Sequence, residues 1–297
     1  MALGIGGVAL AWLFAVWPPP VWWRDHWPRC TAIMREASDS RKVGRSGEPV
    51  QSDCPTVRHL PLAEIAPLLQ RMVIIGEDSR FRTHHGIDPA EIADALGLSE
   101  VHGIRSAVDA LHRHRERLRG ASTITQQLAK NLYLSSSRSA LRKVKEAVIA
   151  LRLELALSKD RILELYLSTA EWGPGIWGVD AASRAYFAVP PSRLTVEQAA
   201  ELAATLPHPR TSNPTFRPER TLARRDLILA RYRGVDVNIP PEEETDSLLM
   251  PTPEILPEVD SLRIDAPLQA DSTQDSLKTR RTDAQGRTAD SSSDSLP

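Results

Sequence analysis

The sequence lacks several patterns that would point to common classes of protein. Only two of its 297 residues are cysteine, and no Cys and His spacing typical of a zinc site is present. No run of alternating apolar and polar residues, the pattern typical of strands, is evident. Gly173, Gly175 and Gly178 lie close together, but they lack the strand-to-helix context of a phosphate-binding loop. These absences favour a mainly α protein with room for no more than a short hairpin.

The net charge of −1 conceals a basic body and an acidic tail. Residues 237–297 contain 13 acidic and 5 basic residues, a net charge of −8, so residues 1–236 carry +7. Ser-Asp pairs and prolines recur in the tail and large apolar residues are few, so it cannot bury enough surface to fold. We predict a disordered tail, and a body that favours an anionic partner such as phospholipid headgroups or pyrophosphate, although a merely solvated basic face has the same composition.

Charged residues are absent from residues 2–17, which three prolines follow. A helix over these residues would be roughly 24 Å long, slightly short of a hydrocarbon core of about 30 Å. Most of the tryptophans lie nearby, as in an aromatic belt at a membrane interface: Trp12, Trp17, Trp22, Trp23 and Trp27. We predict an uncleaved transmembrane anchor over residues 1–23. A cleaved signal peptide is the alternative, but the basic start and the A-x-A cleavage pattern are missing.

Residues 24–59 are predicted to be a juxtamembrane linker, and they contain both cysteines, Cys30 and Cys54. In an oxidising compartment these two could form a disulfide, whereas in the cytosol they would be thiols. Arginines also follow the apolar segment, and a simple positive-inside count would place the body in the cytoplasm.

Helical spacing dominates the next part of the chain. Apolar residues repeat from Pro61 onward, and the apolar run of residues 72–75 leads directly to Glu77. Burial at that point would raise the pKa of the carboxyl group toward that of a working base. We therefore predict a helix that ends in a functional turn.

Three further helices are predicted after this turn. The clearest covers residues 140–157 and has one stripe of apolar residues that we expect to be buried: Leu141, Val144, Val148, Leu151 and Leu155. Another covers residues 161–167 after a cap at Ser158. The last covers residues 196–206, opened by Thr195 and stopped by Pro207.

A second candidate site lies in the segment ASTITQQLAKNLYL of residues 121–134. If Ser122 caps this helix, then Ser122, Gln126 and Lys130 form one polar stripe at i, i+4 and i+8. Free N–H groups at the helix start would favour an anionic ligand beside that stripe. An ordinary amphipathic surface helix is the alternative, although such helices usually carry the Glu and Lys residues that STITQQ lacks.

Four cations then precede a carboxylate: Arg138, Arg142, Lys143, Lys145 and finally Glu146. This cluster could bind phosphate. Because Glu146 lies four residues after Arg142, a plain intrahelical ion pair explains the same spacing.

Four segments, in this order, resemble the motifs of the peptidoglycan glycosyltransferases, and in particular of the monofunctional members that polymerise lipid II. They are EDSRFRTHHG from Glu77, GASTITQQLAKN from Gly120, RKVKE from Arg142, and RILELYLSTAEWGPGIWGVDAASRAYF from Arg161. The resemblance covers roughly residues 60–232. The chain departs from the family's usual residues at Ala121, Ser168 and Ala188, and residues 87–119 are about ten residues longer than usual, with no catalytic group lost.

The resemblance implies a mainly α domain over residues 60–236, with a lysozyme-like helical lobe and a smaller membrane-associated jaw lobe. It implies a single-pass protein of the cytoplasmic membrane whose catalytic domain lies on the outer or periplasmic face. The implied reaction joins the 4-hydroxyl of the acceptor N-acetylglucosamine to C1 of the donor N-acetylmuramic acid, with inversion and release of undecaprenyl pyrophosphate. The roughly 60 residues after the domain are not expected to form a transpeptidase.

The resemblance also implies the roles of individual residues. Glu77 matches the family's base, and Glu146 matches a second carboxylate that positions the donor pyrophosphate, with a divalent magnesium or manganese ion as a candidate cofactor. Further residues match contacts to the substrate: Asp78, Ser122, Gln126, Gln127, Lys130, Arg138 and Lys145. His84 and His85 are predicted to support the first turn rather than to bind a metal, because sequence neighbours point in different directions and no third ligand is evident.

Two alternative functions remain open at this point. A lysozyme-like glycan hydrolase also needs a key Glu, but it has no need of cations for a pyrophosphate leaving group. A non-catalytic scaffold that binds lipid II would be expected to lose Glu77 or Glu146. The expected partners are lipid II, the growing glycan strand, membrane lipids and other cell-wall synthesis or division proteins; no nucleic acid is expected.

Overall fold

The computed structural model describes residues 11–41, 54–96, 122–137 and 139–240. Helices carry most of this part of the chain, which confirms the mainly α prediction. They are α1 (Ala32–Arg41), α2 (Pro67–Glu77), α3 (Pro89–Leu96), α4 (Ile124–Tyr133), α5 (Ala140–Ala156), α6 (Lys159–Thr169), α7 (Val179–Phe187), α8 (Val196–Thr205) and α9 (Pro218–Tyr232). Short 3₁₀ helices cover Pro20–Arg24, Leu62–Glu64 and Pro191–Arg193.

Helix α2 ends at Glu77, as the apolar run predicts. The helical pattern begins earlier than the helix, however, because residues 62–64 form a 3₁₀ turn and the chain is extended at Ile65. Pro67 then occupies the first position of α2, where its missing N–H costs nothing. Helices α8 and α9 pack on α2 and on each other. The first candidate residue is thereby surrounded by packed helices.

Helices α5 and α6 pack on α4, which carries the second candidate motif. The predicted caps are confirmed: the hydroxyl of Ser158 accepts from the N–H of Arg161 at 3.2 Å, and Thr195 forms a capping box with Gln198. Between α6 and α7, the strands Glu171–Gly173 (β1) and Ile176–Trp177 (β2) form an antiparallel hairpin. Its two tryptophans, Trp172 and Trp177, are buried in the core rather than exposed to a ligand.

The predicted buried stripe of α5 is wrong. Leu141, Val144, Leu151 and Leu155 are 71%, 52%, 42% and 88% exposed, and Val148 is only partly buried. The core-facing side is instead formed by Lys145, Glu146, Ile149, Ala150 and Leu153. The apolar periodicity located α5 correctly, but it did not show which face is buried. The more apolar face of α5 points away from the core. An exposed apolar row of this kind marks a surface for another apolar partner.

The last residue of the predicted anchor and the segment predicted to be a linker both contact the helical body. The indole N–H of Trp23 donates to the hydroxyl of Tyr133 at 2.6 Å. The guanidinium of Arg161 donates to the carbonyls of Trp23 and His26 at 2.8 and 2.9 Å, and it stacks 3.9 Å from the ring centre of Trp27. Helix α1 packs on α4.

Cys30 and Cys54 form a disulfide between this segment and the start of the helical body, with Cα atoms 5.8 Å apart. The sequence left open whether these cysteines are paired or are free thiols, and in the structure they are paired. The segment that precedes α1 is tied covalently to the chain just before the 3₁₀ turn at residues 62–64.

Several predictions fall on residues outside the described part of the chain. These are residues 1–10 of the predicted anchor, residues 97–119 of the longer segment and residues 241–297 of the predicted tail. No described helix is both long enough and apolar enough to pass through a bilayer. Residues 237–240, where the predicted tail begins, contact α9, since Arg231 donates to the carbonyl of Val237 at 2.6 Å.

Reduction of the disulfide should destabilise the fold. The bond joins residues 24 positions apart, and closing such a loop in the unfolded chain is expected to contribute about 3 kcal/mol to the free energy of unfolding. Urea unfolding with and without dithiothreitol measures the difference. The double variant Cys30→Ser/Cys54→Ser is the control, since its unfolding should not respond to the reductant; equal midpoints for oxidised and reduced wild type would contradict the prediction.

Candidate active site

Glu77 lies at the C-terminal end of α2 with its side chain only 6% exposed. Its Oε2 accepts a hydrogen bond from Nε2 of Gln127 on α4 at 2.9 Å. Gln127 is held in turn by the hydroxyl of Tyr166, which donates to its Oε1 at 2.9 Å. The other carboxylate oxygen, Oε1, is buried and accepts no hydrogen bond from the described residues. One oxygen is thus fixed, and the other is available to accept a proton from a ligand.

The pKa of Glu77 is raised above its ordinary value, and burial is the main cause because it penalises the charged form. The guanidinium of Arg224 lowers this pKa from 3.8 Å away, and the hydrogen bond from Gln127 lowers it further. The expectation that burial raises the pKa of this carboxyl group is therefore confirmed. A raised pKa increases the proton affinity of the carboxylate, which is what a general base requires.

The carboxylate of Asp78 is hydrogen-bonded to the turn after α2 and to α4. Both of its oxygens lie 2.9 Å from Nε2 of His84, and Oδ2 also accepts from the backbone N–H of Ile124 at 2.9 Å. Ile124 is the first residue of α4, where a carboxylate also meets the positive end of the helix dipole. Asp78 therefore joins the turn after α2 to the start of α4, and we assign it a positioning role rather than the predicted substrate contact.

His84 supports this turn, as predicted. The backbone N–H of Gly86 donates to Nδ1 at 3.1 Å, so Nδ1 is the unprotonated nitrogen and Nε2 carries the proton given to Asp78. His84 also forms a group of potential metal ligands with Asp78 and Asp88. Asp88 accepts from Arg80 at 2.6 Å and from two N–H groups at the start of α3. Because all three side chains already bind protein partners, we interpret the group as structural.

Gly86 is required where this turn meets the helices. Its φ of 92° is unfavourable for other residues, and a Cβ there would lie 3.1 Å from the backbone of Ala150 in α5. Its carbonyl accepts from the hydroxyl of Thr123 at 2.7 Å. The turn after Glu77 is thus packed on α5 and bonded to the start of α4, which brings three of the four sequence motifs together.

Thr123, not Ser122, is the N-cap of α4, so the predicted polar stripe is wrong in part. Thr123 and Gln126 form a capping box, in which Oε1 of Gln126 accepts from the N–H of Thr123 at 3.1 Å. Gln126 is buried and its carbonyl is used in the cap, whereas the partly buried Gln127, one position later, reaches Glu77. Lys130 is half-buried one turn further along α4.

Glu146 is buried in a very different environment, between two cations. Oε2 accepts from Arg142 at 2.7 Å and Oε1 accepts from Lys143 at 2.5 Å, while the carboxylate itself is only 3% exposed. The ammonium of Lys143 also donates to the hydroxyl of Ser122 at 2.7 Å. Lys143 therefore joins the second motif to the third, and its own side chain is 44% exposed.

Lys145 lies apart from this network. Its ammonium is 4.2 Å from the ring centre of Trp12 in the N-terminal segment, and burial lowers its pKa. Arg138 lies outside the described residues. The sequence-based selection thus included Lys145 and omitted Arg142 and Lys143, which are the cations that contact Glu146. Sequence spacing could not reveal the contact between Lys143 and Ser122, because these residues are 21 positions apart and meet only in the folded chain.

The residues around Glu146 do not fit a protein-bound divalent cation. Magnesium and manganese prefer several oxygen ligands, but this carboxylate is saturated by Arg142 and Lys143. Among the described residues no second carboxylate joins it in a group of potential ligands. The cluster offers positive charge to an anion directly, and we assign no step to a metal ion.

Comparisons with known proteins show the family of the chain. A family model described as transglycosylase matches residues 50–233. A biosynthetic peptidoglycan transglycosylase of Thiobacillus denitrificans is 41% identical over 231 residues, covering 76% of this chain and 91% of that protein. Proteins of the same description from Azoarcus sp. and Bordetella avium are 41% and 37% identical over 76% and 78% of this chain, and over 89% and 94% of their own lengths. The chain belongs to the transglycosylase family.

Proposed function

We propose that the chain is a peptidoglycan glycosyltransferase that polymerises lipid II into glycan strands. The observation that carries this proposal is a pair of buried carboxylates with different surroundings, one linked directly and one through a lysine to residues 122–127. Glu77 is bonded to Gln127 and keeps one oxygen without a hydrogen bond. Glu146 is bonded through Lys143 to Ser122 and lies between two cations. Such a site can take a proton on one side and stabilise an anion on the other.

The reaction that we propose is a displacement at C1 of the donor N-acetylmuramic acid. Oε1 of Glu77 accepts the proton of the acceptor's 4-hydroxyl, and the hydroxyl oxygen forms a bond to C1. The bond between C1 and the pyrophosphate oxygen breaks, and its electron pair leaves with undecaprenyl pyrophosphate. Attack opposite to the leaving group inverts the configuration at C1. The products are a lengthened glycan, the lipid pyrophosphate and a protonated Glu77.

Lys143 and Arg142 are suited to stabilise the charge on the departing pyrophosphate. Glu146 orients both side chains, and Ser122 fixes the position of the ammonium of Lys143. The partial exposure of Lys143 leaves room for a phosphate oxygen to approach it. We keep Lys130 and Arg138 as further donor-site contacts, Gln127 as the residue that positions the base, and Gln126 and Asp78 as structural supports of these groups.

Replacement of Glu77 should abolish polymerisation. Glu77→Gln keeps the shape of the side chain and removes the proton acceptor, so we expect kcat to fall by about 10²- to 10⁴-fold. Polymerisation of labelled lipid II by the purified full chain, followed by gel electrophoresis of the glycan, measures the effect.

Three outcomes, measured with lipid II and with preformed glycan, would contradict the proposal. Unchanged polymerisation by Glu77→Gln would remove Glu77 as the base. Cleavage of preformed glycan by wild type, without polymerisation, would favour a lysozyme-like hydrolase, in which a carboxyl group with a raised pKa serves as the acid. Retained binding of lipid II without either reaction would favour a scaffold.

Lys143 and Lys145 form a matched pair for testing the leaving-group side. Lys143→Met should lower kcat by about 10²-fold, because it removes a charge aimed at the departing pyrophosphate. Lys145→Met should change kcat by less than about threefold, since its ammonium faces Trp12 instead. The same assay measures both variants. Equal losses for the two, or a larger loss for Lys145→Met, would contradict the assignment.

We also propose that the protein works at a membrane surface. The exposed row of Leu141, Val144, Leu151 and Leu155 is an apolar surface of the kind that a lipid bilayer can cover. Trp12, Trp17 and Trp22, which lie within the predicted anchor, are exposed, as expected of residues at a bilayer interface. The disulfide fits an oxidising compartment and therefore the outer face of the membrane. Anchoring by residues 1–23 remains part of this proposal.

The apolar row should lie within the bilayer interface. In the full chain reconstituted into phosphatidylglycerol and phosphatidylethanolamine vesicles, a fluorophore on Leu155→Cys should be quenched by lipids that carry a quencher near the headgroup. Glu197→Cys on α8, an exposed charged position on the other group of helices, is the matched control and should be quenched at least about threefold less. Equal quenching at both positions would contradict a membrane role for this face.

A further inference from the structure

Arg224 on α9 is a buried cation that lies outside the four sequence motifs. Only 6% of the residue is exposed, which is unusual for arginine. Its guanidinium donates from NH2 to the carbonyl of Gly76 and from NH1 to the carbonyl of Pro240, both at 2.8 Å. Gly76 directly precedes Glu77 in the last turn of α2. The charge of Arg224 is therefore anchored to the backbone beside the proposed base.

The approach of α9 to this turn is close. A Cβ on Gly76 would lie 3.0 Å from Cδ1 of Ile228, so glycine allows the two helices to meet at this point. Ile228 lies four residues after Arg224 and therefore on the same face of α9. Contact at Ile228 and hydrogen bonding at Arg224 together set the position of the guanidinium relative to the end of α2.

The distance between the two charges is informative. NH2 of Arg224 lies 3.8 Å from Oε1 of Glu77, which is an ion-pair distance but too long for a hydrogen bond. An arginine and a carboxylate usually form a bidentate pair when both are free to do so. Here the two backbone carbonyls hold the guanidinium, and Oε1 keeps its lone pairs. The site thus combines attraction between the charges with a buried acceptor oxygen that accepts no hydrogen bond from the described residues.

We propose that Arg224 is a positioning residue that keeps the buried carboxylate of Glu77 ionised while leaving Oε1 open to the acceptor hydroxyl. This inference rests on the proposed role of Glu77 as the base. Arg224 does not contact the substrate in this role; it acts through the charge of Glu77 and the backbone of Gly76.

The other groups around Glu77 affect the pKa of its carboxyl group in both directions. Burial raises its pKa, Arg224 opposes burial most strongly, and the hydrogen bond from Gln127 and the charge of His208 also lower it. Asp78 raises it slightly, and the hydroxyl of Tyr166 is bonded to Gln127. Removal of the cation therefore raises the pKa of Glu77 further, so the base becomes protonated at a higher pH.

The first test is the pH dependence of lipid II polymerisation by Arg224→Met in the full chain. We expect kcat to fall about tenfold at pH 6 and to recover to within about threefold of wild type at pH 9, because alkaline pH restores the ionised base. Arg224→Lys retains the charge and should follow the wild-type profile more closely. Arg225→Met is the control, since Arg225 pairs with Asp226 at 2.8 Å instead. A loss that is equal at all pH values, or a wild-type profile for Arg224→Met, would overturn the proposal.

The second test does not depend on activity. Because the pKa of Glu77 is raised in the folded state, wild type should lose stability relative to Glu77→Gln as the pH rises from the ordinary value of 4.5 through the raised value. Arg224→Met should likewise lose stability relative to the double variant Arg224→Met/Glu77→Gln, and this loss should continue to a higher pH than in wild type. Urea unfolding of wild type, Glu77→Gln, Arg224→Met and the double variant at several pH values measures it, and the neutral Arg224→Gln replaces Arg224→Met if the latter does not fold.

The two tests separate the two proposals. If Glu77→Gln polymerises lipid II normally, the proposed base is wrong, whatever the unfolding measurements give. If Glu77→Gln is inactive but the stability differences are identical with and without Arg224, the proposed function stands and the role of Arg224 is overturned.

Discussion

The site depends on the carboxylate of Asp78, which lies between the imidazole of His84 and the first N–H of α4. This single side chain joins the turn that follows the proposed base to the helix that carries its partner, Gln127. A buried carboxylate held by two donors is also costly to disturb, because loss of either partner leaves polar groups unsatisfied. Gly86 strengthens the same junction by allowing the turn to approach α5. The two halves of the site are held together by groups that do no chemistry.

The same fold places the two buried carboxylates, Glu77 and Glu146, in different surroundings. Glu77 is surrounded by apolar helices and keeps an oxygen without a hydrogen bond, so its proton affinity is raised. Glu146 is equally buried but is neutralised by Arg142 and Lys143. Only Glu146 has cations within hydrogen-bonding distance, whereas the guanidinium of Arg224 lies 3.8 Å from Glu77. This division suits a reaction in which a proton is removed on one side and a pyrophosphate leaves on the other.

The surroundings of Glu77 also suit its proposed role as a buried base. A direct hydrogen bond from Arg224 would stabilise the carboxylate but would occupy the oxygen that must accept a proton. At 3.8 Å, with the guanidinium held by backbone carbonyls, the attraction remains and the oxygen is open. On the outer side of the molecule, the exposed row on α5 faces away from this chemistry. The same helix therefore supplies Glu146 to the interior and an apolar surface to the exterior.

The sequence by itself determined the helical class, the caps at Ser158 and Thr195, the position of Glu77 after an apolar run and the family, because these depend on local spacing. It did not determine which face of α5 is buried, since both faces carry helical periodicity and only packing against α4 decides between them. It assigned the cap of α4 to Ser122 instead of Thr123, and it chose Lys145 over Lys143, because those choices depend on contacts with Gly86 and Ser122 across 37 and 21 residues. Arg224 meets Gly76 across 148 residues. Only the folded chain brings such distant groups together, so the tertiary structure decided which charges act on the proposed base.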